Sequence, residues 1–170
     1  NEGFASWKEV NAFVTSRVMA REDMRKELEC LEKNALAEAV GEGHKGMAVV
    51  TSVVLNRIAL SGRRSPATFC QTVYEEGQFS WTTDEVLLKK EYLPGQKVIA
   101  RISNRRALEG NVAVTKATTY CATHYLNPKT ASPRGKRWFE KAVREGKLVF
   151  IEKVGRHHFY GPPSCVKRFV

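Results

Sequence analysis

One glutamate in this chain stands where proton transfer would be favoured. Glu38 lies in the segment 35–43, ALAEAVGEG, among small and apolar side chains and close to Gly41 and Gly43. Apolar surroundings and the C-terminal end of a helix both disfavour a charged carboxylate, so we expect the pKa of Glu38 to be raised. A carboxylic acid that stays protonated near neutrality can protonate a glycosidic oxygen. The alternative is an ordinary exposed glutamate at the polar edge of a helix.

Polar and aromatic residues further along the chain could hold a sugar. Gln78, Ser80 and Trp81 belong to the run QFSW, which we expect to be a loop or a short extended segment. Aromatic rings pack against sugar faces, while amide and hydroxyl groups fix the orientation of a ligand. Core packing and cleft lining explain Trp81 equally well. Four further residues could bind N-acetyl or hydroxyl groups, or could be structural: His124, Tyr125, His158 and Tyr160.

An inverting hydrolase would need a second carboxylate, at about 6.5–9.5 Å from the acid. Glu42 and Asp84 are the candidates for that role. Glu42 follows Glu38 by four residues and would share its helix face only if the helix continued past Gly41. We therefore favour a structural role for Glu42, in which it pairs with a nearby cation.

Metal and thiol chemistry have little support in the sequence. There is no H-E-x-x-H motif, and the adjacent His157 and His158 would point to opposite faces of a strand. A cysteine amidase that pairs Cys121 with His124 or His157 is a weaker alternative, because Cys121 falls inside a helical run and not at a helix N-terminus. We expect neither a metal nor a cofactor.

The four cysteines leave the redox state open. They are far apart in the sequence and contain no C-x-x-C pair, so buried thiols and disulfides are both possible. An enzyme that works outside the cytoplasm could hold one or two bridges, and four cysteines allow three complete pairings. The residues concerned are Cys30, Cys70, Cys121 and Cys165.

The net charge favours a polyanionic partner. Lys and Arg number 28 against 18 Asp and Glu, which gives a formal charge of +10. The basic residues are scattered in short groups, which favours a solvated surface, but a basic nucleic-acid-binding module without catalysis is an alternative. No apolar run approaches the ~20 residues that span a bilayer. No signal peptide is visible. Because the chain begins at Asn1 and not at Met, the sequence leaves open whether an export or anchor segment precedes it.

The hydrophobic pattern predicts helices over the first part of the chain. Residues 6–40 should form two helices, with Ser6 and Glu9 in a capping box at the start and an end near Gly41. Residues 46–58 are apolar on most sides and should form the central buried helix. A basic loop at 61–65 should lead into a helix from Pro66 to about residue 74, which Gly77 ends.

The second part of the chain should be helical until a small sheet begins. Residues 94–95 predict a turn, followed by helices at 97–108 and 112–125. A loop at 127–135 and a short helix at 138–145 should follow. Residues 147–154 are typical of a strand, and 155–160 could return as its hairpin partner. The pattern predicts a mainly helical α+β domain with a small antiparallel sheet near the C-terminus.

Four blocks of sequence resemble those of the cell-wall hydrolases related to the spore-cortex-lytic enzymes. Each block is short, but they occur in the same order over residues 29–161. The first combines ECL at 29–31, AEAVGE at 37–42 and VVLNR at 53–57; the second combines VY at 73–74 and QFSW at 78–81; the third is ATHY at 122–125 and the last GRHHFY at 155–160.

The resemblance implies a lysozyme-like fold and cleavage of the glycan strand of peptidoglycan, with Glu38 matching the catalytic acid of the family. Members typically act as lytic transglycosylases, which need no second carboxylate. The length of 170 residues predicts a single domain over 1–170. The resemblance implies that 29–161 form its catalytic core, with 1–28 as a helical extension.

The chain is also similar to the wall-digesting enzymes that enveloped double-stranded RNA bacteriophages carry for entry and lysis. This similarity implies an enzyme that is associated with the virion or exported to the periplasm. Its partner would be bacterial peptidoglycan and not nucleic acid, and we expect a monomer. Such enzymes have also been described as endopeptidases that cut the peptide cross-bridge, which is the alternative to glycan cleavage.

Overall fold

A computed structural model describes residues 9, 12–13, 15–17, 20, 23–63, 66–75 and 77–170. The capping box predicted at Ser6 lies outside these residues, together with much of the first predicted helix. The chain divides into two compact units, Asn1–Val112 and Ala113–Val170, which we call unit 1 and unit 2. The single domain expected over 1–170, with its extension at 1–28, stays a prediction.

Unit 1 is built around two consecutive helices. Helix α1 spans Met24–Ala39, and the side chain of Asp23 caps its N-terminus by accepting a hydrogen bond from the backbone N–H of Lys26 at 3.1 Å. A 3-10 turn, Val40–Glu42, follows at once, so the helix end predicted near Gly41 is confirmed.

Helix α2, Gly43–Ala59, is the central helix of unit 1. Every residue from Gly46 to Asn56 is buried, including the polar Thr51 and Ser52. The run predicted as a buried helix at 46–58 is therefore confirmed, and the helix extends beyond it by three residues at one end and one at the other.

Two predicted boundaries in unit 1 are wrong. Helix α3 spans Phe69–Val73 and starts after Pro66, because Thr68 and Gln71 form the capping box that begins it. Pro94 does not lie in a turn but opens helix α5, Pro94–Leu108, where a proline suits the first helical position. Between these helices lie the 3-10 turn Ser80–Thr83 and helix α4, Glu85–Lys89.

A disulfide ties helix α1 to helix α3. Cys30 and Cys70 are bonded across a separation of 40 residues. Next to them the buried side chain of Glu27 accepts a hydrogen bond from the backbone N–H of Cys70 at 2.8 Å. The carboxylate thus satisfies one of the free N–H groups at the start of α3.

Unit 2 contains helix α6, Lys116–Cys121, helix α7, Pro133–Arg144, and the short helix α8, Pro163–Val166. Its sheet has the order β1-β3-β2, with β1 at His124–Leu126, β2 at Val149–Val154 and β3 at His157–Gly161. Both neighbouring pairs are antiparallel. The hairpin predicted from residues 147–160 is confirmed.

The helix predicted over 112–125 is wrong at both ends. Thr115 caps α6 by accepting a hydrogen bond from the backbone N–H of Thr118 at 3.2 Å, and the helix ends at Cys121. Tyr125 lies in strand β1, opposite Phe159. Pairing with a strand more than thirty residues away decides this conformation, and no local signal shows it.

Helix α7 begins five residues before the predicted start at 138. The hydroxyl of Ser132 caps it by accepting a hydrogen bond from the backbone N–H of Gly135 at 3.0 Å, and Pro133 occupies its first turn. The residues that suggested a loop are therefore the N-terminal signals of the helix.

A second disulfide, between Cys121 and Cys165, joins α6 to α8. The end of β3 lies close to α6, because a Cβ built on Gly161 would overlap the carbonyl oxygen of Cys121. Only glycine therefore fits at position 161. All four cysteines are bonded, so the question that the sequence left open is answered with two bridges.

The described part of the chain is mainly helical with a small three-stranded antiparallel sheet, and the predicted α+β class is confirmed at that level. Among the described residues, no helix combines the length and the apolar character that crossing a bilayer requires.

Candidate active site

Glu38 lies in the last turn of helix α1 and is half-buried. Its neighbours Leu36 and Ala39 are 2% and 3% exposed. The 3-10 turn after Ala39 ends the regular helix, so the side chain is close to the C-terminal end of the α1 dipole. The position of Glu38 at a helix end is the one that the sequence predicted, and its role as the catalytic acid stays a prediction.

The QFSW segment is attached to α1 one turn before Glu38. The indole Nε1 of Trp81 donates a hydrogen bond to Oδ1 of Asn34 at 2.9 Å, and Asn34 is completely buried. Asn34 precedes Glu38 by four residues and therefore shares its side of the helix. This bond fixes Trp81, within unit 1, to the helix that carries Glu38.

Trp81 itself is a packed residue. Its side chain is 3% exposed, and its ring makes an edge-to-face contact with Tyr74 at 5.5 Å between centroids. It also lines a cavity of about 280 Å³ together with Leu36 and Ala37. The ring thus forms part of a cavity wall while most of its surface is covered.

A cation–π contact joins the QFSW segment to helix α2. The guanidinium carbon of Arg57 lies 4.6 Å from the ring centroid of Phe79, which is 3% exposed. Gln78 and Ser80, on either side of Phe79, are exposed. The segment therefore alternates between buried aromatic anchors and polar side chains that remain accessible to a ligand.

The two candidates for a second carboxylate have different surroundings. Oδ1 of Asp84 accepts hydrogen bonds from the backbone N–H groups of Val86 at 2.9 Å and Leu87 at 3.2 Å, so Asp84 is the N-cap of α4. Glu42 is half-buried, and its side chain passes close over Gly46, where an added Cβ would lie 2.6 Å from the Cβ of Glu42.

In unit 2, three of the four predicted ligand residues share one face of the sheet. His124 pairs with Tyr160 in register, and His158 stands two residues before Tyr160 on β3. Residues at such positions point to the same side. The ring of Phe150 contacts both His158 and Tyr160, at 5.5 and 5.7 Å between centroids.

Tyr125 lies on the opposite face of the sheet. Its ring contacts His157 at 5.1 Å and Phe159 at 5.4 Å, and these two residues alternate with His158 and Tyr160 along β3. The prediction that His157 and His158 point apart agrees with these ring contacts. A ligand on the His158 face would not reach Tyr125.

Burial raises the pKa of the Tyr160 phenol above its ordinary value of 10.0. The hydroxyl therefore keeps its proton across the neutral pH range and can donate a hydrogen bond to a sugar oxygen. His124 has a local partner, because its Nδ1 lies 2.9 Å from Oγ1 of Thr123.

A model of the Cell Wall Hydrolase family matches residues 41–160. The chain belongs to this family. The match covers most of the chain and includes every predicted ligand residue and both candidate second carboxylates; it begins three residues after Glu38. No curated protein and no solved structure matches the chain.

The described residues of this cell wall hydrolase contain no group of three or more His, Cys, Asp and Glu side chains that could hold a metal ion. Cys121, which a cysteine amidase would use as its nucleophile, is in a disulfide with Cys165. A bonded sulfur is not a thiolate, so the oxidised hydrolase has no nucleophile at this position.

The sequence did not single out Asn34, although it holds Trp81. The sequence does contain a signal for this role, because Asn34 is a polar residue on an otherwise apolar helix face, four residues before the candidate acid Glu38. It also did not single out Phe139 and Phe150, whose rings contact Tyr160 at 4.9 and 5.7 Å. Aromatic residues on a helix and on a strand reveal a common cluster only once the helix is packed on the sheet.

Proposed function

We propose that this cell wall hydrolase degrades bacterial peptidoglycan by cutting the glycan strand, with Glu38 as the acid and base. The observation that carries the proposal is the half-buried position of Glu38 at the end of α1, one turn after the Asn34–Trp81 hydrogen bond. The resemblance of residues 37–42 to the catalytic block of the spore-cortex-lytic enzymes supports the same role.

In the proposed reaction Glu38 donates its proton to the glycosidic oxygen as the bond between that oxygen and C1 of muramic acid breaks. The resulting carboxylate accepts the proton of the C6 hydroxyl of the same sugar, and the C6 oxygen bonds to C1. The products are a free 4-hydroxyl and a 1,6-anhydro end. No water is consumed, and no second carboxylate is required.

Five of the seven candidate ligand residues would bind the glycan. Gln78 and Ser80 are exposed next to two buried aromatic anchors, so they could donate and accept hydrogen bonds with sugar hydroxyls. His124, His158 and Tyr160 would do so on the sheet face of unit 2. A lysozyme-like fold is part of this proposal.

We further propose that the enzyme acts as a monomer in phage entry and host lysis, either within the virion or in the periplasm. The similarity to the enzymes of enveloped double-stranded RNA bacteriophages supports this setting. The formal charge of +10 is consistent with retention on an anionic wall.

The first test is replacement of the acid. Glu38→Gln should lower wall clearing, measured as the fall in turbidity of purified sacculi, by at least about a hundredfold, because general acid catalysis contributes about 10²–10⁴-fold. The melting temperature should stay within about 2 °C. Glu109→Gln, on an exposed side chain of unit 1 at the end of α5, is the matched control and should clear walls normally. Retained clearing in Glu38→Gln would remove this residue from the mechanism.

The second test identifies the bond. Mass spectrometry of digested sacculi should find anhydro-muramic ends if the glycan is cut. New free amino groups without anhydro ends would instead show cleavage of the peptide cross-bridge, the alternative activity. Steeply salt-dependent binding to nucleic acid without any loss of turbidity would favour the non-catalytic module.

A further inference from the structure

A groove in unit 2 lies between helix α7 and the sheet face that carries His158 and Tyr160. Its volume is about 590 Å³, within the range of about 300–1,000 Å³ that is usual for small-molecule sites. We call it the α7 groove. Residues that line it and matter here are Lys136, Phe139, Arg144, Phe150, His158 and Tyr160.

The floor of the α7 groove is aromatic and partly open. Phe139 packs against Tyr160 at 4.9 Å between centroids, and Phe150 lies 5.7 Å from the same ring. Phe150 keeps 51% of its surface exposed although it belongs to this cluster. An exposed ring in a concave site offers its face to a flat apolar surface, such as one side of a pyranose.

The helix side of the groove carries charge. Lys136 and Arg144 both line it, with Glu140 between them at intervals of four residues along α7. Neither cation forms a salt bridge with any residue that the structure describes. The nearby Glu145 forms salt bridges with Lys147 at 3.1 Å and Lys141 at 3.9 Å, and Arg144 adds only a longer-range attraction to that carboxylate. Two cations face one carboxylate, so the groove favours an anionic ligand.

Resting on the proposed function, we propose that the α7 groove binds a muramic acid residue that still carries its stem peptide. The sugar packs on Phe150 and Tyr160, and Lys136 and Arg144 pair with carboxylates of the peptide. Stem peptides carry several free carboxylates, whereas oligomers of N-acetylglucosamine are neutral. The groove thus makes the enzyme selective for peptide-bearing glycan over neutral chitin-like glycan.

Binding tests this selectivity without any need for cleavage. We would use the full chain with Glu38→Gln and measure its affinity by calorimetry for two ligands, a disaccharide–tetrapeptide muropeptide and N-acetylglucosamine tetramer. Lys136→Gln with Arg144→Gln should weaken muropeptide binding by about three- to tenfold, because each exposed ion pair adds little. Binding of the neutral tetramer should change by less than about twofold. Phe150→Ala should weaken the binding of both ligands.

The matched control is Lys116→Gln with Lys167→Gln, which also removes two exposed positive charges from unit 2 but at residues that do not line the groove. It should bind both ligands like the parent protein. The inference is overturned if the double variant Lys136→Gln with Arg144→Gln binds the muropeptide like the parent protein, or if its affinity for both ligands falls equally. It is also overturned if the control variant loses as much affinity for the muropeptide. The assay measures binding alone and does not depend on which bond is cut. Cleavage of the peptide cross-bridge in digested sacculi would therefore refute glycan cleavage without deciding whether the α7 groove binds the muropeptide.

Discussion

Gly46 has no side chain, and this allows Glu42, a candidate second carboxylate, to pack closely against helix α2. Replacement of glycine by alanine inside a helix usually stabilises the helix by about 1 kcal/mol. At this position, however, the new Cβ would lie 2.6 Å from the Cβ of Glu42. Because neither atom is at the end of a flexible chain, the helix start or Glu42 must move. We expect Gly46→Ala to lower the free energy of unfolding by about 1–3 kcal/mol.

Chemical denaturation measures this effect, and Gly95→Ala is the control. Gly95 lies in the first turn of α5, where an added Cβ meets nothing within 4 Å. That variant should be as stable as the parent protein or more stable by up to about 1 kcal/mol. If Gly46→Ala proves equally well tolerated, the close packing of Glu42 on α2 is not a constraint.

Asp84 has a structural task that can be separated from a catalytic one. Because its carboxylate caps α4, Asp84→Ala should lose about 0.5–2 kcal/mol of unfolding free energy, whereas Asp84→Asn should keep the cap. The proposed transglycosylase needs no second carboxylate, so Asp84→Asn should clear sacculi at the parent rate. A stable Asp84→Asn variant that fails to clear walls would instead assign Asp84 as a base.

At the scale of elements, the Cys30–Cys70 disulfide links the helix that carries Glu38 to α3. A bridge across 40 residues restricts the unfolded chain, and such bridges typically contribute about 2–4 kcal/mol. We expect the double replacement Cys30→Ala with Cys70→Ala to lower unfolding free energy by that amount, measured by denaturation under oxidising conditions.

The control for this prediction is the parent protein in reductant. Reduction breaks both bridges, so it should destabilise the protein at least as much as the double replacement does. An unchanged unfolding midpoint in the double variant would mean that packing alone holds α1 to α3.

Elements with a dense local signal were predicted well, and those that depend on distant partners were not. Helix α2 was evident from an apolar run that is long enough to be buried on most sides. The first two residues of strand β1 were assigned to a helix, because this segment becomes a strand only by pairing with β3. The capping residues Thr68 and Ser132 set two helix starts that proline positions alone misplaced.

At the scale of the whole molecule, the charge of +10 should control retention on the wall. Screening shortens electrostatic attraction from a range of about 10 Å at 0.1 M salt to about 3 Å at 1 M. Binding of the Glu38→Gln protein to sacculi, measured by co-sedimentation, should therefore weaken steadily between about 0.05 and 0.5 M NaCl. Binding of the neutral sugar tetramer is the control and should not. Sacculus binding that salt leaves unchanged would contradict an electrostatic contribution.

The sequence by itself determined that the chain is a mainly helical wall hydrolase and singled out one glutamate at a helix end. These conclusions depend on local apolar periodicity and on short blocks of neighbouring residues. Both features are visible in the sequence without knowledge of tertiary contacts. The sequence also predicted that His157 and His158 point to opposite faces of a strand, because the alternation of side chains along a strand is local.

Only the tertiary structure decided which cysteines pair, that Trp81 is held by Asn34, and that Tyr125 faces away from His158. Each of these facts depends on contacts between residues dozens of positions apart. Such contacts arise from packing and strand register, which satisfy buried polar groups and apolar faces collectively. No short stretch of sequence carries that information.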